Sequence, residues 1–323
     1  MPSLLVPQSL PWSLDNLPLK AIRFDPRQPV TGEALQAEAL VVWGAGRDAL
    51  DLITHLPNLR WVQTFMAGVD ALLGPELSPQ VIICNGKGLH DIPVAEHTVA
   101  MLLEGVRSLH IYRDDQNVSR WNNRSQWARS GGPEGCRPEW KKLESLEGAK
   151  VVILGFGAIG LAIAERLTPF GCSIVGVTTS PGERSGYRVV TDLDAELPDA
   201  DVLINVLPHT PQTINIINAQ RLALLPGHAW FVNVGRGSAV DETALDAALR
   251  ADRLAGAALD VFVTEPLPES SPLWSNPKVI LSPHVAGGGP GFAGRALALL
   301  GRNAQHFLDN EALENVVDRQ RGY

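Results

Sequence analysis

The sequence predicts an α/β protein built from two doubly wound parallel-sheet domains, and three observations carry that prediction. Short apolar, β-branched runs alternate with helical or turn-rich pieces along most of the chain. One of these runs, Val151–Leu154, leads directly into Gly155-Phe156-Gly157-Ala158-Ile159-Gly160 and then into helical spacing from Leu161 to Phe170. The chain has 323 residues, long for a single hydrophobic core, so two domains are expected.

The first hundred residues carry strand-like runs at Ala21–Phe24, Leu40–Trp43, Trp61–Thr64 and Val81–Cys84. Helical or turn-rich pieces separate them, which predicts a small α/β domain with a parallel sheet. Two loops follow strands within it, Met66-Ala67-Gly68-Val69-Asp70 and Asn85-Gly86-Lys87-Gly88. Ligands on open α/β sheets collect beyond the carboxyl ends of strands, so both loops are candidates to face a cleft. Glycines that merely serve tight turns explain them equally well.

Asp91 is placed to cap a helix beginning near Pro93, with Glu96 in its first turn. Apolar positions recur at Val99, Leu102, Leu103, Val106 and Leu109, the pattern of one long connecting helix. His90, His97 and His110 lack metal-ligand spacing, so capping and packing are their expected roles, and no metal site is predicted. Residues 113–146 differ in kind: charged, with Trp121, Trp127, Trp140 and the run SGGPEGCRPEW. Tryptophan is enriched at interfaces, which points to a subunit contact or a flap, while packing onto its own domain is the equal alternative.

From Lys150 the alternation becomes regular. Strand-like runs lie at Val151–Leu154, Ser173–Thr178, Val202–Leu207, Ala229–Val234, Ala257–Val261 and Val279–Leu281, roughly six strands of a doubly wound sheet. Asp241–Arg250 is an Ala/Leu-rich helix with Asp241 as its cap, and after Gly287–Gly291 a final long helix runs from Phe292 to Phe307.

Composition narrows the partners. With 27 Lys and Arg against 35 Asp and Glu, the formal charge of −8 opposes non-specific binding to nucleic acid and to anionic membranes. The N-terminal MPSLLVPQSLPW lacks a basic region and is interrupted by prolines, unlike a signal peptide. No apolar run is long enough to span a bilayer, so a soluble protein is expected. Cys84, Cys136 and Cys172 are too few and scattered for a disulfide framework or a zinc site, which fits a reducing cytoplasm.

The glycine-patterned turn carries the first chemical signal. Its first glycine permits a tight strand-to-helix turn, the second lets backbone approach a pyrophosphate, and the third lets helix pack against strand. The helix N-terminus adds unpaired N–H groups and the positive end of a dipole. A dinucleotide is therefore the expected cofactor. About twenty residues on, such sites place an acid against the ribose hydroxyls. Here the strand ends Thr178-Thr179-Ser180, followed by Arg184, with no acid. Hydroxyls beside an arginine suit a 2′-phosphate, so NADP(H) is favoured, with NAD(H) the alternative.

Three polar residues end later apolar strands: Arg236 in NVGRG, Glu265 in DVFVTEP and His284 in ILSPHVAG. Singly, each has an ordinary structural explanation. Together, an arginine to hold a carboxylate, a histidine to pass a proton and a glutamate to tune it form a coherent set for reducing a 2-keto acid.

With these pieces assembled, the chain resembles the D-isomer-specific 2-hydroxyacid dehydrogenase family, which contains glyoxylate/hydroxypyruvate reductases and phosphoglycerate dehydrogenases. The resemblance rests on LGFGAIG, DVLINVLPHTPQT at Asp201–Thr213, NVGRGSAVDETAL at Asn233–Leu245 and ALDVFVTEPLPESSPLWSNPKVILSPHVAG at Ala258–Gly287. FMAGVD and IPVAEHTVAMLL extend it into the first hundred residues, and 113–146 is the least typical part. The resemblance implies a Rossmann nucleotide domain, residues 93–292, inserted into a flavodoxin-like substrate domain made of 1–92 and 293–323. It implies a homodimer, with 113–146 as a dimerisation or flap segment. It assigns catalysis to Arg236, Glu265 and His284, and carboxylate binding to the amides of Ala67 and Gly68. It assigns cofactor contacts to Gly155, Gly157, Ala158, Ile159, Gly160, Pro208, Thr213, Val234 and Gly235. Asp260 matches an acid that contacts the nicotinamide amide, with a structural role as the alternative.

Two departures bear on function: the missing acid at Thr178, which affects cofactor choice, and the Gly287-Gly288-Gly289-Pro290 run after the histidine motif, which puts substrate identity in doubt. The expected activity is hydride transfer between a nicotinamide cofactor and a small 2-keto or 2-hydroxy acid of the glyoxylate/hydroxypyruvate type. A non-enzymatic dinucleotide sensor like the corepressors of this fold is one alternative. A phosphoglycerate dehydrogenase-type enzyme is another, although the chain ends at Tyr323 without the usual appended domain.

Overall fold

A computed structural model of the protein describes residues 2–43, 52–74, 77–121 and 143–323. Trp127, Trp140, Cys136 and the SGGPEGCRPEW run lie outside the described residues. The chain divides into two compact units: Met1–His90, Pro208–Thr210 and Gly288–Tyr323 form one, and Asp91–Leu207 with Pro211–Gly287 form the other.

The first unit is a five-stranded sheet of β1 (Ser3–Pro7), β2 (Lys20–Phe24), β3 (Ala39–Val42), β4 (Trp61–Thr64) and β5 (Ile82–Cys84). Its order is β2-β1-β3-β4-β5 and every pairing is parallel, the flavodoxin-like arrangement. β1 is absent from the sequence-based strand set, yet it pairs with both β2 and β3 and all of its residues are buried. A parallel strand covered on both faces shows no polar alternation, so SLLVP between prolines carries little to mark it as a strand. One face of the sheet packs Leu4, Val41 and Trp61 against Leu299, Leu300 and Phe307 of the C-terminal helix Phe292–Asp309. The other face packs Leu5, Leu40, Val62 and Ile83 with Ile53, Leu56 and Leu72.

The second unit holds β6 (Lys150–Leu154), β7 (Ser173–Val177), β8 (Gly182–Arg184), β9 (Tyr187–Val190), β10 (Val202–Asn205), β11 (Trp230–Asn233), β12 (Gly256–Leu259) and β13 (Val279–Leu281). The order is β13-β12-β11-β10-β6-β7-β9-β8, with only the β8–β9 pair antiparallel. From β9 through β7, β6, β10 and β11 to β12 this is the doubly wound dinucleotide-binding order, and strand order reverses between β6 and β10. Six of the eight strands match runs expected from sequence. The charged β8 is fully exposed at the sheet edge, which hides its strand character. It joins β9 through Ser185 and Gly186, both left-handed, as a two-residue type I′ hairpin requires.

The helices of this unit are α1 (Asp91–Val106), α2 (Leu109–Asn117), α3 (Ala158–Leu167), α4 (Leu193–Glu196), α5 (Ala219–Leu222) and α6 (Glu242–Arg250). Strand neighbours point to opposite faces. Val151, Ile153, Ile204 and Val232 meet Met101 and Leu102 of α1 and Ile163 and Leu167 of α3 on one side. Val152, Leu154, Leu203 and Phe231 meet Leu222 of α5 and Leu245 and Leu249 of α6 on the other. Both faces being buried explains why these strands read as unbroken apolar runs. The single connecting helix expected through Leu109 is two helices: α1 begins at Asp91 and stops at Val106, where left-handed Ser108 (φ 57°) breaks it, and Leu109 is exposed. Among the described residues no helix is long and apolar enough to cross a membrane.

Candidate active site

Each glycine of the β6–α3 turn has a distinct physical reason. Gly155 sits at φ +95° while its N–H donates to the Val177 carbonyl at 3.0 Å, tying the turn to the end of β7. A Cβ on Gly160 would lie 2.3 Å from the Gly155 carbonyl oxygen, so only glycine lets the helix pack this close. Gly157 precedes α3 without any side-chain cap, and a Cβ there would meet nothing within 4 Å. The N–H groups of Ala158, Ile159 and Gly160 therefore begin a helix beside open space. These residues fit a dinucleotide pyrophosphate: backbone donors, a helix dipole and room for close approach.

The end of β7 and the hairpin β8–β9 adjoin that turn. The Thr178 hydroxyl donates to the Ser180 carbonyl at 2.7 Å, and Thr179 and Ser180 are exposed. The Arg184 guanidinium donates to the carbonyl of Phe156, inside the glycine turn itself. The hairpin thus brings a cation onto the glycine turn.

Beyond the carboxyl ends of β11 to β13 the structure brings the expected polar residues together. His284 is left-handed (φ 53°), a costly conformation for a non-glycine residue, and its N–H donates to the carbonyls of Asp260 (2.8 Å) and Ser282 (3.1 Å). Its Nδ1 lies 2.7 Å from Glu265 Oε2, while Glu265 Oε1 accepts from the Phe262 N–H at 2.9 Å. With Glu265 Oε2 as the acceptor, Nδ1 is the donor of the pair, and Nε2 takes no part in that bond. Both side chains are part-exposed, as a group that meets a ligand must be. Arg236 is half-buried after β11, with its Nη1 donating to the Gly235 carbonyl at 2.9 Å. The next residue fixes the spacing of the set: a Cβ on Gly237 would fall 1.8 Å from the Phe262 carbonyl carbon, so the arginine turn rests directly on the glutamate turn.

Several further residues hold this set in place, among them Asp260, for which the sequence left a structural role open, and His97, Asn205 and Asn233, which it did not connect to the site. Asp260, buried at the end of β12, accepts from the Ser282 hydroxyl (2.6 Å) and from the N–H groups of Val285 and Ala286 (both 3.0 Å). Its carboxylate thereby secures the segment on either side of His284. His97 Nε2 lies 2.8 Å from the Ser282 oxygen. Since the serine proton goes to Asp260, the histidine supplies the donor. Asn205 and Asn233 clasp β10 to β11 through buried side chains 2.9 Å apart, and Asn233 Nδ2 donates to the Arg236 carbonyl at 3.1 Å. Gly235 is forced by the 206–207 backbone, 2.8 Å from where a Cβ would stand, and the Val234 N–H donates to Asn205 at 3.1 Å. Thr213 is nearly buried in this unit, whereas Pro208 falls within the first.

Ala67 and Gly68 belong to the first unit, in the loop after β4. Three successive carbonyls of that loop are taken: Phe65 by His90 Nε2 (2.7 Å), Met66 by the Gly86 N–H (2.8 Å) and Ala67 by Asn85 Nδ2 (3.0 Å). Among the described residues no group accepts from the Ala67 or Gly68 amide, which leaves two adjacent donors. Beneath them Gln63 and Asn303, both wholly buried, pair at 2.9 Å, and Gln63 Nε2 donates to the carbonyls of Thr64, Cys84 and Asn85.

A doubly wound sheet with this glycine turn is the architecture of a dinucleotide-binding oxidoreductase, and here it carries a paired histidine and glutamate. Residues 99–286 match the family described as D-isomer specific 2-hydroxyacid dehydrogenase, NAD binding domain. The chain belongs to the D-isomer specific 2-hydroxyacid dehydrogenase family and is an oxidoreductase of that type. Among solved structures, it is similar to the family member from Xanthobacter autotrophicus Py2 in complex with NADPH and MES, at 28% identity and a TM-score of 0.82 over 100% of this chain and 99% of that one. It also resembles the member from Aeromonas salmonicida subsp. salmonicida A449, at 29% identity and a TM-score of 0.79 over 98% and 99% of the two chains. A third likeness is to the NADPH-dependent glyoxylate/hydroxypyruvate reductase of Sinorhizobium meliloti in complex with NADP and sulfate, at 26% identity and a TM-score of 0.82 over the full length of both.

Proposed function

We propose that the protein is an NADPH-dependent reductase of small 2-keto acids of the glyoxylate/hydroxypyruvate type, yielding the D-2-hydroxy acid. The observation that carries this reading is the 2.7 Å His284–Glu265 pair on a left-handed histidine, with the Arg236 turn packed against it. A dinucleotide-binding module that only senses has no use for a strained residue held to donate a proton. The relatives crystallised with NADPH or NADP support the cofactor choice, as does the Arg184 guanidinium on the glycine turn.

The reduced nicotinamide, when bound, supplies the hydride to the keto carbon. His284 Nε2 gives its proton to the carbonyl oxygen as the C–O bond becomes an alcohol, and Glu265, bonded to Nδ1, orients the ring for that transfer. Arg236 holds the substrate carboxylate and polarises the carbonyl. The amides of Ala67 and Gly68 are the proposed donors to a carboxylate oxygen. Asp260 is proposed to position His284 and to meet the nicotinamide amide. Exposed Leu109, Val118 and Trp121 support the homodimer that the family resemblance implies.

The test is a panel of 2-keto acids of increasing size, each with NADPH and with NADH, followed by absorbance of the reduced nicotinamide. Turnover of glyoxylate or hydroxypyruvate with a clear NADPH preference is expected. NADPH binding by fluorescence without turnover of any panel member would replace the reductase reading with the sensor.

A further inference from the structure

Glu242 opens the nine-residue helix α6, and its carboxylate faces the turn that carries Glu265. Glu242 Oε1 accepts from the Val263 N–H at 2.7 Å, while the preceding N–H, that of Phe262, is taken by Glu265 Oε1 at 2.9 Å. Two consecutive backbone donors are thus held by two carboxylates, one from α6 and one from the turn itself. The far oxygen of the second carboxylate is the partner of His284. On the same helix Asp241 is occupied, capping α6 by accepting from Ala244 N–H at 2.9 Å. The charged group that bears on Glu242 is Glu265.

We infer that Glu242 is a positioning residue for the Glu265–His284 pair, acting through the Val263 N–H, and this rests on the proposed proton-transfer role of that pair. The physical logic is one of acceptor rather than charge. Burial, with repulsion from Glu265 added, pushes the Glu242 carboxyl above the usual range despite the stabilising bond from Val263. A site that needed a second negative charge would not be built to resist it. What the turn needs is an oxygen that fixes Val263, and an amide supplies one equally well. Without it, the Val263 N–H loses its carboxylate, and Glu265 must both anchor Phe262 and orient the imidazole.

The experiment compares Glu242→Ala and Glu242→Gln. The alanine variant should lower kcat by about ten- to a hundred-fold, since misplacement by an ångström costs on that order. NADPH affinity should stay unchanged, and the glutamine variant should recover kcat to within about threefold of wild type. The independent readout is the His284 Nδ1–H proton resonance in cofactor-free protein, assigned by its absence in His284→Gln. It should be lost or broadened with alanine and restored with glutamine. Should the alanine variant not fold, Glu242→Met fills the space without an acceptor and is held to the same expectations. Retention of kcat and of the resonance in the alanine or methionine variant would overturn the inference, as would equal losses with alanine and glutamine. If wild type turns over no keto acid, the functional reading fails while the resonance still decides whether Glu242 positions His284.

Discussion

The two sheets position their functional loops by opposite chemistry. In the first unit the loop after β4 is held by nitrogen donors on its carbonyls, His90 on Phe65, the Gly86 N–H on Met66 and Asn85 on Ala67, with the amides of Gln63 and Asn303 paired beneath. In the second, the loops after β12 and β13 are held by carboxylates, with Asp260 gripping the residues around His284 and Glu265 gripping both Phe262 and His284. The difference follows from what each loop must offer. On the proposed function, backbone donors such as the Ala67 and Gly68 amides need only their carbonyls turned away, and a carboxylate beside them would repel an anionic substrate. On the proposed function, the imidazole of His284 needs the reverse, an acceptor that orients the ring.

The sharpest way to break this division is His284→Ala. Loss of a general acid costs about 10²–10⁴-fold, so kcat for keto-acid reduction should fall by that much with NADPH affinity unchanged. Wild-type turnover in this variant would leave the acid-held unit without a catalytic role. Next in size is Arg184→Ser. A charge-assisted hydrogen bond is worth about 1.5–3 kcal/mol, so the preference for NADPH over NADH should shrink by about 10- to 100-fold, with saturated NADH turnover intact. An unchanged ratio would return Arg184 to a structural role on Phe156. Smaller still is Asn85→Ala, which frees the Ala67 carbonyl. Keto-acid KM should rise about tenfold, the worth of one hydrogen bond of about 1.4 kcal/mol, with kcat nearly preserved. A kcat loss at constant KM would erase the distinction between a binding loop and a reacting one.

How much of this was readable beforehand depended on burial and on distance along the chain. Strands covered on both faces appear as apolar runs, so six of the second sheet's strands and the glycine turn were legible, and Arg236, Glu265 and His284 stood out as polar endings to such runs. β1 was lost because its short run lies between prolines, and β8 because an exposed, charged edge strand lacks apolar alternation. The residues that hold the site escaped for another reason. His97 meets Ser282 across 185 residues and Asn303 meets Gln63 across 240, separations that no spacing rule covers. A weaker signal was available: Gln63, Asn205 and Asn233 are amides at or next to the last position of mostly apolar strands, where only a specific partner repays burial.

The smallest effects test whether the contrast between amides and acids extends to stability. Asn303→Leu leaves the Gln63 oxygen and the Glu314 N–H without their partner and should cost about 1–3 kcal/mol in urea unfolding. Because the pair of amides does not titrate, that cost should be the same at pH 4 and pH 7. In the second unit, Glu196 is nearly buried and hydrogen-bonded by Arg188 (2.8 Å) and Lys150 (2.9 Å), and those two partners, Arg188 first, hold its carboxyl below the usual range. A carboxyl depressed on folding contributes stability that is present above its unfolded value and lost as pH falls through its folded one. Glu196→Gln should therefore be less stable than wild type by about 1 kcal/mol at pH 7, and the difference should close as the pH is taken below about 4. A gap that persisted in acid would mean that Glu196 acts through packing rather than charge, and the second unit would then owe no more to its carboxylates outside the site than the first owes to its amides.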